Sequence, residues 1–437
     1  MKRSVLCVSA ALLLCLTLLL PMLVLAATAS GNWDVQTIGQ ARGCEHTSIA
    51  LDSNGNPHIS YNIASSVYHA RWNGSSWDVR YVDTGRYSSI TLDALGYPHI
   101  SYEYNDLKYA RWNSSSWDIQ TVDSMGIVGN YSSIVLDTSG NPHISYYDWN
   151  NGDLKYARWT GSEWSTEVVD SAGNVGLNTS ITLDLSDYPH ISYYDATNRN
   201  LKYARWTGSS WEIQTVGSAG GSTGQSTSIA LDASGNPHIS YGSDALKYAR
   251  WTGSEWSIQT VVSRDSYSSS LALDSSDRPN ISYGYAGFWN SEVRYARWTG
   301  NAWDIQTVAP VGLVADVQSS IALDSGDRSH ISYHNFKEDL LNYAKWSGST
   351  VPDTQNGTPT ETPTGPSTTP SEPAHYLWLW LLLLYFIISI ILAAWVYRDS
   401  RGRRMNRGGW AGLVFLTSAV GLAAYMKRRG PRKRAAG

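Results

Sequence analysis

Polar and apolar positions alternate along residues 48–61, SIALDSNGNPHISY. Ile49 and Leu51 stand before a turn-rich cluster, Ile59 and Tyr61 after it. A period of two on both sides of an Asp/Asn/Gly/Pro run predicts two strands joined by a tight turn. The pattern returns at 89–102, 133–146, 180–193 and 228–241, and more loosely at 270–283 and 320–333. Seven copies forty to fifty residues apart mean one supersecondary unit used in series.

Two further strand patterns accompany each hairpin. One is led by Trp: WDVQTI at 33–38, with relatives at 77–82, 117–122, 164–169, 211–216, 256–261 and 303–308. The other is VYHARW at 67–72, returning as LKYARW or a near variant at 107–112, 154–159, 201–206, 246–251, 293–298 and 341–346. No segment among them shows a helical period. Four strands in each unit of this length predict an all-β fold, a seven-bladed β-propeller of four-stranded blades. After Trp346 no Trp-led strand remains to finish the last unit, while an unmatched one stands at 33–38. The N-terminal strand is therefore expected to close the ring against 341–346, which removes two exposed edges.

In such a ring the connections alternate between two faces. The hairpin turn and the turn before each Trp keep their length and wording from copy to copy. The links between second and third strands, and between blades, differ in every copy: YEYNDL (102–107), YYDWNNGDL (146–154), YYDATNRNL (193–201), YGYAGFWNSEV (283–293), YHNFKEDL (333–340). Repetition preserves what folding needs, so the differing face is where a site is expected.

The ends change the picture. Residues 1–29 combine Lys2 and Arg3, a long apolar run and small residues at 27–29, the layout of a secretory signal cleaved after Ala26 or Ala29, or of an uncleaved anchor. Residues 30–350 form the propeller, and 351–375 are a Thr/Pro-rich stalk that cannot bury a core. Residues 376–397 are expected to be a first transmembrane helix, followed by an arginine-rich loop (398–409). A second apolar stretch (410–426) is expected to pair with it as a two-helix hairpin, although the basic tail (427–437) then lies outside, against the orientation rule; the alternative is that it re-enters or lies in the interface. The expected place is the cell membrane, with the propeller facing outside and the C-terminal helices in contact with lipid.

Charge divides the same way. Residues 30–350 carry 33 Asp/Glu against 20 Lys/Arg, and residues from 376 onward 11 Lys/Arg against one Asp. An acidic main domain argues against nucleic acid as its partner. Of the three cysteines only Cys44 lies beyond the leader, which excludes an intramolecular disulfide or a thiolate zinc cluster there. The 20 Trp and 28 Tyr against 4 Phe suit strands whose aromatic bodies pack while a polar tip finds a partner.

Two resemblances add to this. The hairpin wording resembles NHL-type propeller repeats, in which a similar strand–turn–strand recurs, over about fourteen residues per copy. It departs from sialidase-type repeats, whose Asp-box turn is missing. Residues 395–429, with a Trp-x-Tyr-Arg-Asp exit, an Arg-Gly turn, a second Trp and a Gly-x-x-x-Tyr, are similar to the two-helix membrane region at the N-terminus of phospholipase D-like nucleases and cardiolipin synthases. Their HxK motif is absent, so the resemblance implies the membrane module and not the activity.

Six copies place a His after the turn (His58, His99, His143, His190, His238, His330), with Asn280 in the sixth. A ring of metal ligands is one reading. Local bonding of each His to the Ser or Asp beside it is the preferred one, because Asn replaces His without other change. The Arg of each Tyr-Ala-Arg-Trp strand is expected to stack on Trp and bridge strands. Candidate ligand-binding residues are those of the varied loops: Tyr104, Asp106, Asp148, Trp149, Asp153, Asp195, Arg199, Trp289, Glu292, Phe336 and Asp339. Aromatics among carboxylates can stack on sugar rings and accept hydroxyl bonds. Their oxygens would suit Ca²⁺, while no motif calls for a cofactor. No acid/base pair, activated nucleophile or phosphate loop stands out. The expectation is a surface module that binds a glycan, polymer or protein. An extracytoplasmic polysaccharide hydrolase or lyase is the alternative reading, and a membrane sensor a third.

Overall fold

In a computed structural model, residues 33–44, 46–218, 226–242, 244–264, 266–286, 290–312 and 317–348 are described. The leader, the stalk, both apolar stretches, the basic loop and the tail lie outside the described residues, as does Trp289. Among the described residues no helix is long and apolar enough to cross a membrane.

The described strands form seven four-stranded antiparallel sheets, each meandering outward in chain order. Blades 1–6 are residues 47–84, 86–123, 128–170, 175–218, 226–262 and 266–312. Blade 7 is residues 319–346 joined by the N-terminal strand (Trp33–Gln40), which pairs antiparallel with the last strand (Leu340–Trp346). Trp33 faces Trp346 and Gln36 faces Tyr343, so the closure expected from the unmatched front strand is the one found.

Repeated residues become repeated contacts. The Asp that opens each hairpin turn caps it: Asp52 accepts from the amides of Asn54 and Asn56 at 2.9 and 2.8 Å. The fourth turn position is left-handed and takes Gly (Gly55, φ 75°) or Asp (Asp187, φ 60°). Where it is Asp, its carboxylate reaches the preceding blade's turn, as Asp187 does to Thr138 (Oγ1 at 2.6 Å).

At the hub, first strands of neighbouring blades stand side by side without sheet pairing. Their amides, which no ladder pairs, are met instead by serine. Ser48 Oγ accepts from Ile90 N (3.2 Å), Ser89 from Ile134 N (3.4 Å), Ser133 from Ile181 N (3.2 Å) and Ser180 from Ile229 N (3.2 Å). The circuit continues through Ser228 and Ser270 and closes with Ser320 accepting from Ile49 N at 3.3 Å. A second circuit links the buried second-strand serines to the next first strand: Ser60 with Ser88 (3.1 Å), Ser145 with Thr179 (2.8 Å), Ser332 with Thr47 (2.9 Å). Outside this hub lie fully buried Ile and Tyr of the second strands, such as Ile59, Tyr102, Tyr146 and Tyr193, each contributing about 1.5–3 kcal/mol by burial.

Removing one hub acceptor leaves a part-buried amide without its partner. Ser48→Ala is therefore expected to lower the unfolding free energy by about 1–3 kcal/mol, and Ser48→Thr by less. Denaturant unfolding of both variants measures this.

Candidate functional site

The turn face is organised by spokes. In blade 2, Asp93 lies 3.5 Å from His99 Nε2, and Tyr109 OH is 2.6 Å from His99 Nδ1. Tyr109 in turn packs edge-on against Trp164 of blade 3 at 5.3 Å. The same Asp–His–Tyr–Trp order runs from Asp137, Asp184, Asp232 and Asp324. In blade 6, Asn280 accepts from Tyr295 OH at 2.5 Å and replaces the His. The histidines are thus locally bonded. Among the described residues no cluster of three His, Cys, Asp or Glu side chains is placed to hold a metal. The partner that sequence reasoning missed is the third-strand Tyr.

The arginines of the third strands bridge strands as expected, but through carboxylates and not by stacking on Trp. Arg111, Arg205 and Arg297 meet Asp93, Glu212 and Asp304. Arg80, from a fourth strand, stacks 4.7 Å over Trp112. A groove of about 430 Å³ opens between blades 2 and 3 on this face. Its polar groups are largely paired among themselves, Arg111 and His99 with Asp93 and Gln120 with Asp118 and Trp164, so it is a seam of the scaffold.

On the varied face, Lys155 and Tyr146 of blade 3 converge on buried Asp123 of blade 2, and Lys202 and Tyr193 on Asp170. Burial acts to raise the Asp123 carboxyl, but the hydrogen bonds from Lys155 and Tyr146 outweigh it and hold it below the usual range. These triads tie neighbouring blades.

The candidate residues are spread around this face. Asp148 is buried and caps its own turn, accepting from the amides of Asn150 and Asn151. Asp195 does the same for Asn198. Asp153 faces Asp148 across the hairpin, and burial followed by the Asp148 charge raises it. Glu292 is taken by Arg294 (2.8 Å) and Thr307 (3.1 Å). Phe336 packs on His334 at 4.0 Å. Arg199 and Asp339 are exposed at left-handed loop positions (φ 56° and 55°), and Asp106 faces Tyr104 across its hairpin.

Two candidates are brought together. Trp149 N donates to Ile127 O, and Val128 N to Asn105 O, both at 3.0 Å, so the link of residues 124–127 lies between the Tyr104 and Trp149 loops. Gly129 lets that link cross closely, since a Cβ there would stand 2.8 Å from the Leu107 Cα. The result is an exposed ridge of Tyr104 (47%), Met125 (79%), Ile127 (43%) and Trp149 (57%). Blades 3 and 4 repeat the loop geometry with small or polar residues. Ala196 N donates to Asn174 O at 2.9 Å, and Ala172, Asn174 and Ala196 stand where Met125, Ile127 and Trp149 stand. Folding therefore does not require the apolar ridge. Met125 and Ile127 escaped the sequence reading because only the loop pairing makes them neighbours of Trp149.

Sequence reasoning also missed the axis. His46, Tyr87 and Tyr131, each just ahead of its hub pair, form one aromatic cluster, with ring centres 4.8 Å (His46–Tyr87) and 4.9 Å (Tyr87–Tyr131) apart. Tyr87 and Tyr131 are left-handed (φ 52° and 54°), at bulges that break the strand register. Such a backbone costs about 1–3 kcal/mol for a bulky residue.

No family model matches the chain, and no curated protein matches it by sequence. Solved structures do. A polysaccharide lyase of the PL25 family, an ulvan lyase, aligns at TM-score 0.50 and 15% identity over 70% of this chain and 95% of its own. The same lyase bound to a GlcA(1-4)Rha3S saccharide aligns at TM-score 0.50 and 15% identity over 72% and 94%. The fucose-specific lectin from Aleuria aurantia aligns at TM-score 0.45 and 15% identity over 64% and 99%. The likeness to the lyase is one of fold. The chain is a seven-bladed β-propeller.

The spokes carry a pH dependence. Burial, joined in His58 and His99 by the adjacent Arg71 and Arg111, lowers both rings to about 4, and burial lowers His238 and His330 similarly. They are neutral in the fold near neutral pH, whereas the unfolded chain protonates them below about 6.5. Their contribution is thus fully present above about pH 6.5 and falls as pH drops toward 4. His99→Asn keeps a hydrogen-bonding partner for Tyr109, as Asn280 does for Tyr295. It should reduce the loss of stability between about pH 7 and pH 5 by about 1–2 kcal/mol, read from denaturant unfolding at both values.

Proposed function

We propose that the chain is a membrane-anchored, extracytoplasmic propeller that binds a glycan or related polymer through its varied face, centred on the blade 2–3 ridge. One observation carries this: an exposed apolar and aromatic ridge stands where the next pair of blades builds the same loops from Ala172, Asn174 and Ala196. Water-exposed Trp and Met are disfavoured unless a partner covers them. An indole and a phenol at one edge suit the apolar face of a sugar ring, and the surrounding Asp106, Asp153 and Asn150 offer acceptors and donors for its hydroxyls. A saccharide is also what the ulvan lyase is bound to in the neighbouring structure. The reading here rests on this chain's own ridge.

The leader at 1–29, the stalk, the apolar stretches at 376–397 and 410–426 and the arginines between them support the anchoring and the outward orientation. The likeness of 395–429 to the phospholipase D-type membrane region points the same way, and the NHL-like hairpins fit a scaffold for binding. Binding is favoured over hydrolysis because Asp148, which faces Asp153 across the hairpin, is spent on the amides of Asn150 and Asn151, as Asp195 is on that of Asn198.

The test is retention of the full chain, in detergent micelles, on a panel of neutral and acidic polysaccharides. Met125→Ala, Ile127→Asn and Trp149→Ala together copy the next blade pair. They should weaken retention at least about tenfold and leave stability within about 0.5 kcal/mol. Undiminished retention refutes the ridge. New reducing or unsaturated ends appearing in the same incubations would replace binding with the hydrolase or lyase reading.

A further inference from the structure

The binding reading of the varied face leaves an inner position unused, the mouth of the axial channel. Three consecutive first-strand residues of every blade line it, two from the hub circuits and one ahead of them. That leading residue is His46, Tyr87 or Tyr131 in blades 1–3, and Asn178, Ser226, Ser268 or Gln318 in blades 4–7. The hub bonds are the same in all seven blades, so the hub does not call for rings on one side. Blades 4 and 6 build the same left-handed position with Asn178 and Ser268 (φ 51° and 49°), so the bulge belongs to the scaffold, and the rings on it at Tyr87 and Tyr131 are not what it requires. One wall of the mouth is therefore aromatic, and the opposite wall is amide and hydroxyl.

We propose that this mouth binds a single neutral sugar ring, one face on Tyr87 and Tyr131, its hydroxyls on the Asn178 and Gln318 side and on the hub serines. Charge argues for a neutral ligand, since the lining consists of Ser, Thr, Tyr, His, Asn and Gln among the described residues. His46 adds no charge near neutral pH, because burial lowers it to about 4. Size argues for one ring: the cavity is about 160 Å³, about five waters' share of liquid volume. Polarity argues for a polyol. Ser48, Ser89 and Ser133 each accept an amide hydrogen bond, which leaves the hydroxyl proton to donate to an acceptor in the channel. The inference extends the saccharide reading of the varied face but places a second, inner subsite that does not use the ridge.

The experiment titrates the full chain in detergent micelles with methyl β-glucoside, methyl β-galactoside, methyl α-mannoside and methyl α-fucoside, with methyl β-glucuronide as the charged comparison, by saturation-transfer NMR. At least one neutral glycoside should bind with Kd on the order of 1 mM. Tyr131→Ala and Tyr87→Gly should each weaken it about tenfold, and Trp149→Ala should leave it unchanged. Glycine is at ease at a positive φ, so Tyr87→Gly should not lower the unfolding midpoint. The inference is overturned by no neutral binding, by equal binding of the glucuronide, by full binding in both tyrosine variants, or by loss in Trp149→Ala. It is also overturned if Tyr87→Gly lowers the midpoint, which would make the rings a structural plug. Polysaccharide retention that survives any of these results leaves the ridge reading standing, and its loss in the ridge variants alone leaves this one standing.

Discussion

Seven sheets can share an axis only if their innermost strands approach closely without pairing, and the serine hydroxyl answers that constraint. At the hub the neighbouring first strands do not pair into a ladder. Each would bury amides with nothing to receive them. Ser48 and its six counterparts accept those amides across every blade boundary, and Ser320 to Ile49 closes the circuit through the chain's two ends. A net gain of about 1 kcal/mol per bond is modest, but an unmet buried amide costs more than a met one gains. The hub thus decides which arrangements are excluded as much as how stable the fold is.

Moving outward, the wedge between blades widens and the repeated residues grow with it. Ser and Thr at the hub give way to Ile59 and Tyr61 on the second strand, then to the Tyr–Trp seam at the rim. Polar tips along this radius are held in order, Asp to His to Tyr, so that large rings pack without leaving hydroxyls stranded. Blade 6 shows which part of the spoke is required: Asn280 gives Tyr295 an acceptor without a titratable ring. The requirement is for an acceptor at that radius, not for histidine.

The scaffold was legible in the sequence because it is written seven times. The spare Trp33 strand fixed the closure by count alone, and it pairs with Leu340–Trp346 as read. The candidate site was only partly legible, for two physical reasons. A carboxylate on a loop looks the same whether it meets solvent or caps its own turn, and only burial separates Asp148 and Asp195 from an exposed acid. Nor does local alternation reveal a side chain turned by a left-handed bulge. Tyr87 and Tyr131 sit where the pattern places a strand residue, and a single kink directs them to the axis. A weak signal was there: in those two copies a Tyr stands directly before the hub pair.

Departures from sevenfold repetition are therefore the informative residues, and they fall into two kinds. Asp187, Asp277 and Asp327 replace glycine in the turn and gain a bond to the preceding blade, so they serve the scaffold. The ridge and the axial rings are the second kind. They place apolar or aromatic side chains at loops and bulges that other blades build with small or polar residues, as Asn178 and Ser268 do at the same left-handed position. Both lie toward the varied face of blades 2 and 3, and neither is explained by the interactions that close the ring. What the scaffold does not require, and what opposes local preference, is most simply accounted for by something outside the chain.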